Sequence, residues 1–260
     1  MTQTTGSRPV TEIRRIGRGA DAAHLATAAY DRLFDLLDRL EPDAWSRPTD
    51  CAGWSVDDVV GHLLGAAEGH ARLGELLRQF RAGRRDAAAF GGSELDAMNA
   101  LQVREHAHLS PAEKVAALRA VAPRAVRTRT RLPRPLRRLP IPTPPVGDLP
   151  KGLPTRTTLG HLNDVILTRD VLMHRIDIAR AAGLDPGLTG DADRRVLADI
   201  VAEWAADHGR PVRLRLLGGA GGEYHQGEGG PELTVDGAEF CRVVSGRAPG
   251  EGLLATPVLF

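Results

Sequence analysis

Apolar residues recur every three or four positions along most of the N-terminal two thirds of the chain, which is the period of an amphipathic helix. The first such stretch starts at Asp21 and places Leu25, Ala29, Leu33 and Leu36 on one face. This pattern predicts a helix of about five turns whose apolar side faces a core.

Two further stretches begin with recognisable helix caps. Ser55 opens the stretch 55–83, and Asp58 follows three residues later. Ser110 and Glu113 repeat this spacing before the next apolar run. A hydroxyl at the cap and a carboxylate three residues on satisfy each other's backbone N–H groups. The sequence therefore predicts one continuous helix over 55–83 and another from residue 111.

The segment 132–154 interrupts the helical pattern with many prolines. Proline is excluded from helix interiors and from central strands, so we expect a long loop here, which would shape a pocket. The last helical stretch of this part covers residues 157–183 and ends at Gly183, a favourable residue for a helix C-terminus.

In the C-terminal part of the chain, the apolar residues follow the pattern of strands as well as that of helices. Val212, Leu214 and Leu216 alternate with Arg213 and Arg215, the pattern of a half-buried strand. We expect these further elements: a hairpin at 221–230, a strand at 231–235, a short helix at 236–250 and a final strand at 253–260.

These elements predict an α+β protein with three parts. Residues 1–20 are expected to be a flexible N-terminus, residues 21–184 a four-helix bundle, and residues 185–260 a small α+β domain.

The composition of the chain limits which kinds of partner and which cellular compartment we expect for the protein. The net charge of +1 gives no general attraction to nucleic acid or to an anionic membrane. The N-terminus lacks the apolar segment of a signal peptide, and two cysteines cannot form a disulfide framework. We expect a cytoplasmic protein, monomeric or homodimeric, with small molecules rather than nucleic acid or membrane as partners.

One helix carries a candidate metal site. Asp170 and His174 are four residues apart, about 40° around a helix, and Asp177 lies on the same face. A carboxylate and an imidazole so placed can bind one ion, although a solvated polar face gives the same pattern. His62 lies beside the apolar stripe of its helix and is the best candidate for a third ligand. Alternatively, His62 is a structural histidine in the core or at its rim.

Several motifs together resemble a known family. Gly53 to Val56 form a Gly-Trp-Ser/Thr-Val turn, His62 follows about two turns into the next helix, and Asp170 precedes His174 within a His-Arg-x-Asp-Ile run. This combination resembles the mycothiol-dependent maleylpyruvate isomerase family, whose members are DinB-like metal-binding four-helix bundles with a small C-terminal α+β domain. The resemblance covers nearly the whole chain beyond residue 20.

The resemblance implies site residues. His62, Asp170 and His174 would be the metal ligands, with zinc favoured; nickel, manganese or iron would also suit two histidines and a carboxylate. The characterised isomerases have Glu at the position of Asp170, so this residue is a departure. Independently of the resemblance, Asp177 lies one turn beyond His174, where its carboxylate would accept a hydrogen bond from a ligand histidine; the alternatives are an ion pair with Arg180 and a solvated carboxylate. Arg247 would be catalytic, or else a surface residue.

The implied function is an isomerase or S-transferase in which a metal-bound thiolate attacks an electrophilic small molecule, with mycothiol as the thiol cosubstrate. Two alternatives remain open. The protein would be a non-catalytic binding bundle, or a diverged metal enzyme of secondary metabolism, of hydrolase or lyase type, that uses no thiol. The same ligands serve all of these reactions, so the sequence leaves the reaction and the substrate undecided.

Overall fold

The computed structural model describes residues 6–143 and 155–260. The helices are α1 Ala20–Leu37, α2 Val56–Ala71, α3 Leu73–Asp86, α4 Glu94–His106, α5 Pro111–Thr130, α6 Arg134–Arg137, α7 Leu159–His161, α8 Leu167–Ala182, α9 Gly190–His208 and α10 Gly237–Val244. The strands are β1 Arg8–Pro9, β2 Pro140–Pro142, β3 Arg156–Thr158, β4 Val212–Leu217, β5 Gly222–Gln226 and β6 Glu232–Asp236. Short 3₁₀ turns lie between them, and a π-helical turn, Leu162–Ile166, leads directly into α8.

The described residues divide into two compact units. One is the helical bundle, formed by residues 18–143 and 155–186. The other is a small α+β unit, formed by residues 6–17 and 187–260. The prediction of an α+β protein with a helical bundle and a small α+β part is confirmed.

The bundle is built around α1, α2, α5 and α8, whose apolar faces share one core. Contacts near the helix ends give their directions. Lys114 binds Asp57 at the starts of α5 and α2, and Arg124 reaches the carbonyl of Ala71 at the end of α2, so these two helices run parallel. Arg180 near the end of α8 pairs with Asp50 just before α2, so α8 runs antiparallel to both.

The predicted caps are present. Ser55 and Asp58 form a complete capping box at α2, and Ser110 and Glu113 form another at α5. α8 ends at Gly183, which adopts a left-handed conformation with φ of 70°. Each prediction rested on a local hydrogen bond that the sequence alone specifies.

The prediction of one continuous helix over 55–83 is wrong. The backbone of Arg72 is extended, with φ of −141°, and separates α2 from α3. The break lets α3 pack with α4 against α2 and buries Gln79 and Ala82. Tertiary packing of the α3–α4 pair therefore overrides the helical periodicity.

The proline-rich segment contains regular structure in its described part. α6 lies within it, and β2 pairs antiparallel with β3 in a two-stranded ribbon, with Ile141 opposite Thr157. Prolines are accepted there because a two-stranded ribbon has open edges where a missing N–H costs little. The rest of the expected pocket loop, residues 144–154, lies outside the described residues.

The α+β unit carries a four-stranded sheet in the order β1-β5-β4-β6. β4 shows the predicted alternation of buried and exposed residues, and β5 forms the expected hairpin with it. Trp204 of α9 is fully buried, donates a hydrogen bond to the carbonyl of Leu253 at 2.9 Å and packs edge-on against Phe240.

The structure shows contacts at two places in this unit where the sequence predicts something else. Within residues 6–17, which are expected to be a flexible N-terminus, β1 joins the sheet beside β5, and Arg15 and the backbone N–H of Ile16 both bind the buried carboxylate of Asp199. The predicted final strand at 253–260 is absent from the described sheet. Val258 instead donates its N–H to the carbonyl of Val244 at the end of α10.

Candidate metal centre

Two helices of the bundle bring the predicted ligands together. α2 provides His62, and α8 provides Asp170 and His174. One ligand atom from each of the three residues lies within 4.8 Å of the others. The His174 Nε2 atom is 3.4 Å from Asp170 Oδ1, close to the roughly 3.3 Å expected between two ligands of a tetrahedral zinc ion.

Burial distinguishes this cluster from a solvated helix face. His62 and His174 are 7 % and 5 % exposed, and the side chain of Asp170 is 28 % exposed. The ring of Trp54 packs against His62 with 5.1 Å between the ring centres. The site is thus enclosed by apolar and aromatic groups and is accessible to solvent at Asp170.

Asp177 fixes the orientation of His174. Its carboxylate is fully buried and lies 3.0 Å from His174 Nδ1. An N–H on Nδ1 donates to this carboxylate, so Nε2, the nitrogen that faces Asp170, is the one available to a metal. Arg180, the alternative partner of Asp177, pairs with Asp50 instead, at 3.4 Å. The position of Asp177 agrees with the orienting role expected from its place one turn beyond His174.

A chain of two buried glutamines fixes the tautomer of His62. The Gln79 amide donates to the carbonyl of Gly65, which can only accept, so its own oxygen faces Gln102. The Gln102 amide donates to that oxygen at 2.8 Å, and its oxygen lies 2.8 Å from His62 Nδ1. Nδ1 must therefore carry the proton, and Nε2 carries the lone pair.

Glycine at position 65 makes this chain of amides fit. A Cβ there would lie 2.7 Å from Gln102 Cβ, far inside van der Waals contact. α4 therefore approaches α2 closely only because this residue has no side chain. Gln79 and Gln102 were not found from the sequence, because no local motif links them to His62.

The carboxylates also affect the charge of His174. Burial disfavours the charged ring, but the charge of Asp170 and hydrogen bonds with Asp170, Asp177 and Cys51 outweigh it, so the pKa of His174 lies well above its ordinary value of 6.5. The surroundings of this ring thus stabilise positive charge, which suits a cation between His174 and Asp170.

Cys51 lies on the far side of His174. Its Sγ is 3.4 Å from Asp177 Oδ2 and 3.8 Å from His174 Nδ1, so these three residues form a second cluster of potential ligands. Because Asp177 and His174 Nδ1 already satisfy each other in this cluster, the set of His62, Asp170 and His174 suits an ion better.

Arg247 lies in the α+β unit, in the turn that follows α10. It is half-buried, and its backbone N–H donates to the carbonyl of Arg242. It lines a surface pocket together with Val243, Ala248 and Pro257. A catalytic role for Arg247 stays a prediction.

The donor set fits a divalent metal. A bound metal would displace the proton that the surroundings of His174 favour, and it would then meet two imidazole Nε2 atoms and a carboxylate oxygen, the ligand types that zinc and related ions take. Three protein ligands leave room for an exogenous ligand, which is the pattern of catalytic sites rather than structural ones.

Among the residues described, no helix combines the length and hydropathy needed to cross a membrane.

Comparison with known proteins gives agreement at the levels of sequence and fold. The crystal structure of a mycothiol-dependent maleylpyruvate isomerase shares 15 % identity with the chain, with a TM-score of 0.51, and the match covers 88 % of this chain and 89 % of that one. A mutant of that isomerase matches over the same shares at 14 % identity and the same TM-score. No curated protein matches the sequence. The family described as the mycothiol maleylpyruvate isomerase N-terminal domain matches residues 26–179, and the chain belongs to this family.

Proposed function

We propose that this protein is a metal-dependent enzyme that uses mycothiol either to isomerise an electrophilic small molecule or, as an S-transferase, to form an S-conjugate with it. The observation that carries the proposal is that His62, Asp170 and His174 lie together inside the bundle. The Nδ1 atom of each histidine is hydrogen-bonded, to Gln102 in one case and to Asp177 in the other. Family membership supports mycothiol as the thiol.

A divalent metal on these ligands, with zinc favoured, would lower the pKa of an incoming thiol and hold it as the nucleophilic thiolate. The residues of the chain position the ligands. Asp177 and Gln102 hold the two rings in the tautomer that directs Nε2 inward. Trp54 packs on His62 and keeps water from that side.

The chemistry of the thiol explains why isomerase and transferase are proposed together. Addition of a thiolate to an electron-poor cis alkene turns the double bond into a single bond, which rotates. Loss of the thiolate re-forms the alkene as the trans isomer and returns the thiol. If the adduct is protonated instead, the product is an S-conjugate. Both outcomes need the same ligand set and the same access at Asp170.

Metal content is the first test. Elemental mass spectrometry of the purified protein should find near-stoichiometric metal, and His62→Ala and Asp170→Ala should each lose it. Arg127→Met, an exposed change on α5, is the control and should keep the metal. A wild-type protein that stays folded and binds no zinc, nickel, manganese or iron after reconstitution would contradict the catalytic proposal and favour a non-catalytic binding protein.

Thiol use is tested separately on the metal-loaded protein. Mycothiol should accelerate cis–trans isomerisation of maleylpyruvate, or form an S-conjugate with an electron-poor alkene. Turnover of an ester or amide without any thiol would instead indicate the hydrolase alternative.

A further inference from the structure

Arg129 is a buried cation that the proposed chemistry has not used. It lies on α5, is 4 % exposed, and belongs to the bundle unit. Its guanidinium donates to the carbonyl of Asn163 in the π-helical turn and to Thr168 Oγ1 at 3.2 Å. Across residues 6–143 and 155–260, the structure gives this guanidinium only these two neutral hydrogen-bond partners, and no carboxylate within 4.0 Å.

A buried guanidinium whose hydrogen-bond acceptors are all neutral oxygens destabilises the folded protein, because no opposite charge offsets the loss of its hydration. Burial lowers the pKa of Arg129, although the nearby Tyr30 and Asp170 oppose this effect. A guanidinium has five N–H donors in a planar fork, and the carbonyl and the hydroxyl engage only part of that fork. A carboxylate is the group that best compensates such a charge, because it accepts two parallel hydrogen bonds from it.

Two of the groups that interact electrostatically with Arg129, Tyr30 and His70, are neutral, and the third is the carboxylate of Asp170. Burial raises the pKa of Tyr30 to about 12, so the residue keeps its hydroxyl proton. Burial and the charge of Arg129 lower the pKa of His70 to about 4, so its ring is uncharged near pH 7. Tyr30, His70 and Asp170 come from α1, α2 and α8, and all three interact electrostatically with Arg129 or with one another.

The charge of Arg129 interacts with Asp170, one of the predicted ligands of the candidate metal centre. Along α8, Thr168 precedes Asp170, and Asp170 precedes His174 and Asp177. The side chain of Asp170 is 28 % exposed whereas that of Asp177 is fully buried, so a small molecule would reach the ligand cluster at Asp170. Arg129 interacts with Asp170 and binds Thr168, two residues before it, so its guanidinium lies close to this point.

We propose that Arg129 binds a carboxylate of the small molecule that reacts at the site of His62, Asp170 and His174. The inference rests on the proposed function and assigns to Arg129 the role of holding the carboxylate of its substrate, with the reacting bond toward the ligand cluster. Tyr30 and His70, which interact electrostatically with Arg129 and Asp170, are neutral groups that can donate or accept hydrogen bonds beside them.

Calorimetric titration with maleate, a cis-alkene dicarboxylate, tests this on the zinc-loaded protein and on the chelator-treated protein. We expect Arg129→Met to weaken maleate binding at least tenfold and Arg127→Met on the same helix to leave it unchanged. Dimethyl maleate, which has the same alkene without charge, should bind wild type and Arg129→Met alike. This difference separates anion binding from a general loss of structure.

Arg129→Lys is a second variant for the case in which Arg129→Met does not fold. Lysine keeps the charge but loses the planar fork, so we expect a several-fold weakening with an unchanged circular dichroism spectrum. Equal maleate affinity in wild type and in the folded Arg129 variants would overturn the inference, as would the absence of maleate binding to the wild type.

The two proposals can fail separately. Maleate binding that depends on Arg129 in a protein without thiol-dependent turnover would keep the inference and refute the proposed function. Thiol-dependent turnover of an unsaturated acid with the same KM in wild type and in Arg129→Lys would support the proposed function and refute the role of Arg129.

Discussion

Replacing Gln102 with leucine tests whether the buried glutamines prepare His62 for a metal. The side chain is 2 % exposed, and it joins His62 Nδ1 to Gln79 through two hydrogen bonds of 2.8 Å. Leucine is of similar size but provides neither the acceptor nor the donor. The ring N–H of His62 and the oxygen of Gln79 would both lose their partner.

The magnitude follows from these two losses. Each buried group left without a partner costs about 1–3 kcal/mol of stability. Removal of a hydrogen bond that orients a ligand histidine weakens metal binding by about 10–100-fold, because the ring can then rotate or take the other tautomer. We therefore expect Gln102→Leu to lower both the free energy of unfolding and the zinc affinity.

Zinc affinity is measured by competition with a chromophoric chelator at pH 7, and stability by urea unfolding of the metal-free protein. Gln226→Leu is a matched control, since Gln226 donates to the carbonyls of Ala205 and Arg210 in the α+β unit. It should reduce stability without changing zinc affinity. Wild-type zinc affinity in Gln102→Leu would refute the reasoning.

Three further predictions concern other contacts. Asp177→Asn should weaken zinc binding about 10–100-fold, because an amide N–H can donate to His174 Nδ1 and place the proton on Nε2; an unchanged affinity in the chelator assay would exclude this role. His70 titrates near pH 4 when folded and at its ordinary 6.5 when unfolded, so the unfolded chain binds more protons between these values and stability rises with pH there. His70→Asn should flatten that rise, worth up to about 3 kcal/mol, in urea unfolding at pH 4.5 and 7; an unchanged slope would show that His70 does not cause it. Arg15→Met should destabilise the α+β unit by about 1–3 kcal/mol because it removes a 2.6 Å bond to buried Asp199, whereas the exposed change Arg213→Met should have little effect on the thermal midpoint.

Local patterns predicted most of the helices and the central hairpin correctly. The capping boxes at Ser55 and Ser110, the stop at Gly183 and the alternation along β4 each depend on residues a few positions apart. Such features are determined by backbone hydrogen bonds and side-chain periodicity, and the rest of the chain adds little to them. The spacing of Asp170 and His174 on one helical face belongs to the same class.

Failures of prediction occurred where distant packing decides. The break at Arg72 follows from the packing of α3 and α4 on α2. Asp199, far along the chain, binds Arg15 and the backbone N–H of Ile16 within the segment expected to be a flexible N-terminus. The segment 253–260 returns to the end of α10 instead of joining the sheet. Each outcome depends on a partner that periodicity cannot identify.

The sequence by itself determined the amphipathic helices and the α+β class. Through resemblance to a family, it also indicated that His62, Asp170 and His174 would lie together as metal ligands. Only the tertiary structure decided that His62 lies against His174 with its ring centre 5.2 Å away, that Gln79 and Gln102 set its tautomer, and that Arg129 is buried without a carboxylate partner among the described residues. The reason is physical: helix formation is a local balance, whereas the direction of a lone pair and the cost of a buried charge depend on atoms contributed by several helices.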